Sequence, residues 1–452
     1  MSEHKENKSF SRFGYIMVAA GAVVGLGNIW KFPSLAYGDG GGAFVLVYIA
    51  VCILLGHPVV QAEQAIGRRG RASAAGSFGV INPKWRFVGV INIVCTLLID
   101  FYYVVVSGWV LKYLVTYIVS GDFGEDKQAY FDNYISSTAQ PLIYNLIIIA
   151  IIVFFLYFGI TNVVQKASKV IMPALIILLI LCGVFALIVI PGAVEGLKYY
   201  FVPDFSKFGM SQFADVCMQS CFSVGIGWGI YTTLGASMDK NTNLQADAWW
   251  VDICDTFVAL LAGFVVIPTV VGSGSEMSSG PSLVFAAMTQ IFETLPGGRV
   301  FGAFFFAALI LAVISTFFTI LEIPRMYIQE ITHTSHRTSL FITAVLVYGG
   351  SLICSLSKGV LSWFTLPWPS IQGIAYYDIY DWIDCLSGYV LLPLGILLTC
   401  VYVVKGWGFE GYEKELTNDG KYGSLRAFDK FSLIVICPVL TLIVILHVFG
   451  II

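Results

Sequence analysis

The chain has 452 residues, of which 58% are hydrophobic and only 12% charged, with a formal net charge of −3 and a mean hydropathy of +0.83. A soluble domain of this length needs far more charge to cover its surface, so the composition excludes a water-soluble globular protein and indicates lipid as solvent. The small net charge, with no basic tract interleaved with aromatics, also excludes a nucleic-acid partner.

Apolar runs long enough to cross a hydrocarbon layer of about 30 Å recur along the chain, for example over 142–158, 170–190, 301–321 and 431–449. They are continuous rather than short and alternating, which predicts helices and not a barrel. Length and hydropathy predict about eleven spans. They fall near 13–36, 42–67, 88–119, 141–158, 163–190, 213–236, 248–271, 300–328, 338–357, 376–404 and 428–451. The expected organisation is a cytoplasmic tail (1–12), a ten-helix core (13–404), a cytoplasmic loop (405–427) and a last helix (428–452). The polar start MSEHKENKSFSR leads into a full-length span and does not read as a cleaved signal. The ten cysteines are scattered singly and mostly within apolar runs, as small packing residues.

Orientation follows from the Lys/Arg bias of the connections. Arg68, Arg69, Arg71, Lys84 and Arg86 share one connection, Lys166 and Lys169 fall in the next, Arg325 and Arg337 flank a later one, and Lys405, Lys414, Lys421 and Arg426 lie in the last. The opposite side carries Asp122, Glu125, Asp126 and Asp132. This places the amino terminus in the cytoplasm and, with an odd number of spans, the carboxyl terminus outside. The long loops 120–140 and 272–299 are expected to cover an outer vestibule.

Two spans are interrupted. The first reads GAVVGLGNIWKFP, with Gly25, Gly27 and Asn28 at mid-depth and Pro33 beyond; the sixth reads SCFSVGIGWGIY, with Gly225, Gly227 and Gly229. Glycine and proline weaken helices, so breaks are predicted near 23–27 and at the matching depth of the sixth span. Irregular backbone at membrane depth is tolerated where it lines a cavity or is buried in protein. Freed carbonyls suit a cation and half-helix amino ends suit a carboxylate. Two such spans at the head of two halves, 13–190 and 213–404, point to a transport site. Close helix packing alone is the alternative reading of the glycines.

Polar groups inside spans are expensive and usually functional. Asn28, Gln219, Ser223, Asp255, Ser315 and Thr316 provide the hard oxygen donors that suit a group-one cation. Glu63 is expected to accept backbone donors from a broken helix. Asp100 is read as lying near the outer end of a cavity or as paired. His57 is read as a packed, hydrogen-bonded histidine, since no metal-binding spacing of His and Cys occurs. No Gly-x-Ser-x-Gly, His-Glu-x-x-His or paired catalytic aspartate motif indicates an enzyme.

The run GLGNIWKFP (25–33), followed by GDGGGAFVLVY (38–48), closely resembles the signature of neurotransmitter:sodium symporters. The resemblance continues through Tyr102, Tyr103 and Trp109, the Gly225–Gly229 run and LPLG (392–395), and covers essentially the whole chain. It implies an all-α membrane protein with the LeuT-type fold: two inverted five-helix repeats plus one helix, with the first and sixth spans unwound. It also implies sodium-coupled symport of a neutral amino acid by alternating access across a bacterial-type cytoplasmic membrane. No organic cofactor is implied, and the expected state is a monomer or weak dimer. A transport-inactive sensor or an ion channel of the same fold is the alternative.

Residue by residue, the resemblance implies a first sodium site from Val23, Asn28, Ser223 and Asp255 with the substrate carboxylate. The second would use Gly21, Val24, Ala312, Ser315 and Thr316. The substrate pocket would use Ala22, Leu26, Gly27, Ile99, Tyr103, Phe222, Ser223, Gly225, Trp228, Thr316 and Ile320. The cluster equivalent to a chloride site in animal relatives would be Tyr48, Gln219, Ser223 and Asp255; its carboxylate predicts chloride-independent transport. Lys31 and Asp384 resemble an outer gate under a Phe222 lid, with Lys31 where relatives usually carry Arg. Glu330 would meet Lys5, Lys8 or Arg12 in an inner gate. Val163 stands where relatives often carry the glycine that precedes a proline, here Pro173. The pocket is apolar apart from hydroxyls, which disfavours charged substrates. Gly225 adds room and Trp228 removes it, so a small or medium neutral amino acid is expected.

Overall fold

The computed structural model describes residues 10–274, 280–370 and 373–451. Most of the predicted tail 1–12, including Lys5, Glu6, Lys8 and Ser9, lies outside them. Among the described residues nine uninterrupted helices are long and apolar enough to span a bilayer: Gly42–Gly70, Pro83–Val119, Ala139–Tyr157, Gln165–Val189, Leu244–Gly272, Gly298–Thr332, His336–Ser357, Ile379–Trp407 and Ala427–Val448. A further pair, Arg12–Val23 and Gly27–Gly38, is bent by 59° across a short break. The predicted sixth span is divided into Met210–Val224 and Ile230–Gly235.

The chemistry of the breaks is visible in the backbone. Val24 ends the first half-helix with ψ near 77°, and the Gly25 amide turns back to the Val23 carbonyl (2.8 Å). In the other break Gly225, Gly227 and Gly229 all adopt positive φ (73°, 80° and 81°). Side chains strain that left-handed region, and alternating glycines leave the helix no way to continue.

The helices differ in how they are enclosed. Gly298–Thr332 has 78% of its most apolar window buried, against 33% for Ala139–Tyr157, Gln165–Val189 and Ala427–Val448. An apolar helix with a wet partner on neither side needs lipid on its free face, as Ile143, Phe154, Ile177, Ile188 and Leu442 present here. The enclosed helices surround the two breaks.

The connections are more structured than expected. Loop 120–140 contains the helix Lys127–Ser136, and 272–299 contains Leu283–Ala287 continuing into Met288–Thr294. The 405–427 connection carries Phe409–Thr417, whose Glu415 accepts from Arg68 (2.7 Å). Unforeseen, an antiparallel hairpin pairs Leu366–Ser370 with Gly373–Tyr377 in the register Leu366↔Tyr377. Near Val163 the chain makes wide turns over Ile160–Val164 before entering the helix that contains Pro173.

Candidate functional site

The two breaks meet. A Cβ on Gly225 would lie 2.5 Å from Val23 Cγ1, and one on Gly27 would lie 2.8 Å from the Phe222 ring. Gly225 is therefore required by its φ and by this approach, and not only as room for a ligand.

On one side of the junction Asn28 Nδ2 donates to Asp255 Oδ1 (2.6 Å). The Ser223 hydroxyl accepts from Tyr48 (2.7 Å) and lies 2.9 Å from Asn28 Oδ1 and 3.0 Å from Asp255 Oδ2. Asn28, Tyr48, Ser223 and Asp255 are all buried. Gln219 stands beside them and donates to the Gly27 carbonyl (3.1 Å). A carboxylate, an amide oxygen and a hydroxyl converging in a buried place form a hard oxygen donor set, and the neighbouring broken helix adds carbonyls.

On the other side Thr316 Oγ1 lies 3.1 Å from the Gly21 carbonyl and 3.3 Å from that of Val24. Ser315 Oγ donates to the Ala312 carbonyl (2.9 Å), and Gly21 packs against Ser315. The five residues expected at a second cation site thus lie around one point. They too offer oxygen alone.

Between the two groups is a small cavity of about 20 Å³, lined by Ala22, Val23, Gly25, Leu26, Gly27, Asn28, Tyr103, Phe222, Gly225, Trp228, Ile230 and Thr316. The hydroxyls of Tyr103 and Thr316 both reach the open side of Gly25, and the Tyr103 hydroxyl faces the Thr316 hydroxyl and the Leu26 amide. Leu26 and Gly27 begin a half-helix, where amides lack intrahelical partners. Ile99 and Ile320 are fully buried but do not line this cavity. Ile230 does, and nothing in the sequence distinguished it from its apolar neighbours.

Phe222 and Trp228 pack edge to face at 5.0 Å, and Phe222 also lines a larger cavity of about 460 Å³. That vestibule reaches the predicted outer side at Asp132, Ile135, Ser282, Lys358 and Asp381. Lys358 bridges Asp378 (2.9 Å) and Asp381 (2.8 Å) at its rim. Lys31 and Asp384 both line the vestibule, yet no ion pair joins them among the described residues. The Lys31 ammonium instead lies over the rings of Phe222 (5.1 Å) and Tyr389 (5.2 Å), where a cation is attracted to the π face.

On the side predicted to face the cytoplasm, two of the partners expected for Glu330, Lys5 and Lys8, lie outside the described residues. Glu330 accepts from Arg86 (2.8 Å) and from the Ser73 amide (3.2 Å), and does not pair with Arg12. Arg12 pairs with the buried Asp247 (2.8 Å) instead. Gln64 donates to Tyr15 beneath the first break (2.7 Å). Glu63 accepts from the Gly227 amide (2.7 Å), as expected of it. His57 is hydrogen-bonded to Asp252 (2.7 Å) and Gln61 (2.6 Å) and stacks on Trp249. Asp100 is neither paired nor at an outer end: it lies one turn from Tyr103 toward the Arg86 end of its helix, with both oxygens unpartnered.

The family model for the sodium:neurotransmitter symporter family matches residues 7–122 and 130–451. An uncharacterised sodium-dependent transporter, YhdH of Bacillus subtilis (strain 168), is 30% identical over 458 residues, covering 100% of this chain and 99% of the relative. An uncharacterised sodium-dependent transporter of Haemophilus influenzae is 30% identical over 89% of this chain and 91% of its own length. The sodium-dependent dopamine transporter of Bos taurus is 26% identical over 68% of this chain and 52% of the relative. Among solved structures, MhsT in complex with L-phenylalanine superposes with a TM-score of 0.88 at 31% identity, covering 98% of this chain and 100% of MhsT.

Proposed function

From the premise that this chain belongs to the sodium:neurotransmitter symporter family, and is a multi-pass sodium-dependent transporter and not an enzyme, we propose that it carries a neutral amino acid together with sodium. Transport would proceed without chloride, across a plasma membrane of bacterial type. The reading is carried by one observation: two glycine breaks meet between two separate sets of oxygen donors.

In this reading the first set, Val23, Asn28, Ser223 and Asp255, holds one sodium beside the substrate carboxylate. The second, Gly21, Val24, Ala312, Ser315 and Thr316, holds another and ties the first break to the Gly298–Thr332 helix. Sodium supplies positive charge that offsets Asp255 and the carboxylate. The amides of Leu26 and Gly27 and the Tyr103 hydroxyl orient that carboxylate, and Phe222 separates it from the vestibule. Because ion and substrate share a site, each strengthens the other's binding, a reciprocal linkage. Asp255 places a fixed negative charge beside Tyr48 and Ser223, where a chloride would otherwise be needed; this supports chloride independence. The halves 13–190 and 213–404 act as the inverted repeats that rock about the breaks, with the amino terminus inside and the carboxyl terminus outside.

The test is a competition panel of the twenty amino acids against sodium-dependent binding to the purified protein, followed by counterflow in proteoliposomes. Saturable, sodium-dependent exchange of a neutral amino acid is the expected result. Binding without exchange would identify a sensor, and flux without saturation a channel.

A further inference from the structure

Resting on the amino-acid reading and narrowing it, we infer that Asp100 is a specificity-determining residue that accepts a hydrogen bond from the side chain of the substrate. The transported molecule is thus an amino acid whose side chain ends in an O–H or N–H donor.

Thr96, Asp100 and Tyr103 are spaced by four and three residues on the Pro83–Val119 helix, so they share one face. Both ends of that face touch the site. Tyr103 lines the small cavity, and the Thr96 hydroxyl donates to the carbonyl of Trp228, another lining residue. Asp100 lies between them, fully buried, and neither of its oxygens has a partner among the described protein groups.

The levels of the facing elements can be read from glycine contacts. At Gly25 the nearest groups are Thr316 and Tyr103; at Gly229 they include Asn92 and Ile323. The Gly298–Thr332 helix therefore runs antiparallel along this face, and Asp100 falls at the level between Thr316 and Ile323. Thr319 belongs to that level, and its buried hydroxyl is also unpartnered, as is the indole N–H of Trp228. Of these three unsatisfied polar side chains only Trp228 lines the small cavity; Asp100 and Thr319 are buried beyond its lining, at the level that helix spacing assigns them.

A buried carboxylate without a partner is costly, and a packed apolar residue would serve stability better. A carboxylate one turn beyond the lining residue Tyr103, on the same helix face, has a natural partner in the side chain of a ligand that reaches past that lining. A site built to bond a substrate O–H or N–H also rejects the analogue that lacks it far more strongly than an apolar pocket can.

The test uses matched pairs of nearly equal shape: threonine against valine, tyrosine against phenylalanine, and lysine against norleucine. Affinity is read from ligand-induced thermal stabilisation of the purified full-length protein in sodium. The donor-bearing member of the pair that fits should bind at least about tenfold more tightly in the wild type, the scale of one hydrogen bond to a charged group. In Asp100→Ala that ratio should fall toward one, mainly through loss of the donor-bearing ligand. The wild-type ratio stands as a test even if the variant fails to fold. Preference for the plain aliphatic or aromatic member, or a ratio unchanged in Asp100→Ala, would overturn the inference and leave the amino-acid reading intact. Preference for lysine would support the donor and overturn neutrality of the substrate. Stabilisation by no amino acid would overturn the amino-acid reading and this inference with it.

Discussion

The carboxylate of Glu63 accepts the amide of Gly227 at 2.7 Å, which fastens the Gly42–Gly70 helix to the middle of the second break. Both groups are buried, and Gly227 holds φ near 80° with the Leu392 carbonyl pressed against its open side. Removing the acceptor strands a backbone N–H away from water. Glu63→Ala should lower stability by about 1–3 kcal/mol and weaken sodium-dependent binding, whereas Glu63→Gln keeps an acceptor and should cost less. Thermal unfolding in detergent with and without sodium measures both; equal melting of the three proteins would refute the role.

Asp255 bears on the anion requirement. In Asp255→Asn the fixed negative charge beside Ser223 and Tyr48 is lost while the shape is kept. Uptake by this variant should become stimulated by chloride, with no such effect in the wild type. A variant that stays indifferent to chloride counts against the assignment.

The three glycines of the second break differ in what opposes a side chain. A Cβ at Gly227 would meet the Leu392 carbonyl at 2.7 Å, which is backbone, while at Gly225 it would meet a Val23 methyl at 2.5 Å. Both positions also carry the cost of a left-handed backbone, roughly 1–2 kcal/mol for an L-residue. Gly227→Ala should therefore destabilise more than Gly225→Ala. Gly349, in the His336–Ser357 helix with open space around it, provides the control: Gly349→Ala should stabilise by about 0.5–1 kcal/mol. Melting temperatures in a different order would show that the backbone at the break is not what the glycines serve.

Outside the spans, burial pushes the Asp39 carboxyl up to about 7, with the charge of Asp215 adding to it. An unfolded aspartate titrates near about 3.9. Between those values the folded chain holds a proton that the unfolded chain has released, so this group's contribution is full below the lower value and is lost as pH rises through the upper one. Asp39→Asn should remove that slope. Its melting temperature should gain on the wild type as pH is raised from 5 to 8, and parallel curves would refute the prediction.

On the side predicted to face the cytoplasm, Arg12 reaches the fully buried Asp247 at 2.8 Å while its own side chain remains largely exposed. Arg12→Ala leaves that carboxylate without its partner and loosens the first half-helix from the Leu244–Gly272 helix. A cysteine placed at Tyr15 should then react faster with a membrane-impermeant thiol reagent applied from the inner side than in the Arg12 parent. Unchanged reactivity would mean that the pair does not hold this side closed.

Much of this protein is legible along one dimension. Apolar runs must become helices because lipid offers no partner to a backbone amide, and the Gly25–Gly27 and Gly225–Gly229 runs mark where helices must stop. Those are local constraints, carried by neighbours in the chain. The gate partners are not of that kind: Arg12, Arg86 and Lys31 each had several carboxylates or rings within plausible reach, and packing chose Asp247, Glu330 and the Phe222 and Tyr389 faces. The isolation of Asp100 was equally hidden, since whether a buried carboxylate has a partner depends on residues two hundred positions away. Hydropathy and backbone chemistry are properties of a segment, whereas a salt bridge or an orphaned oxygen is a property of several segments brought together.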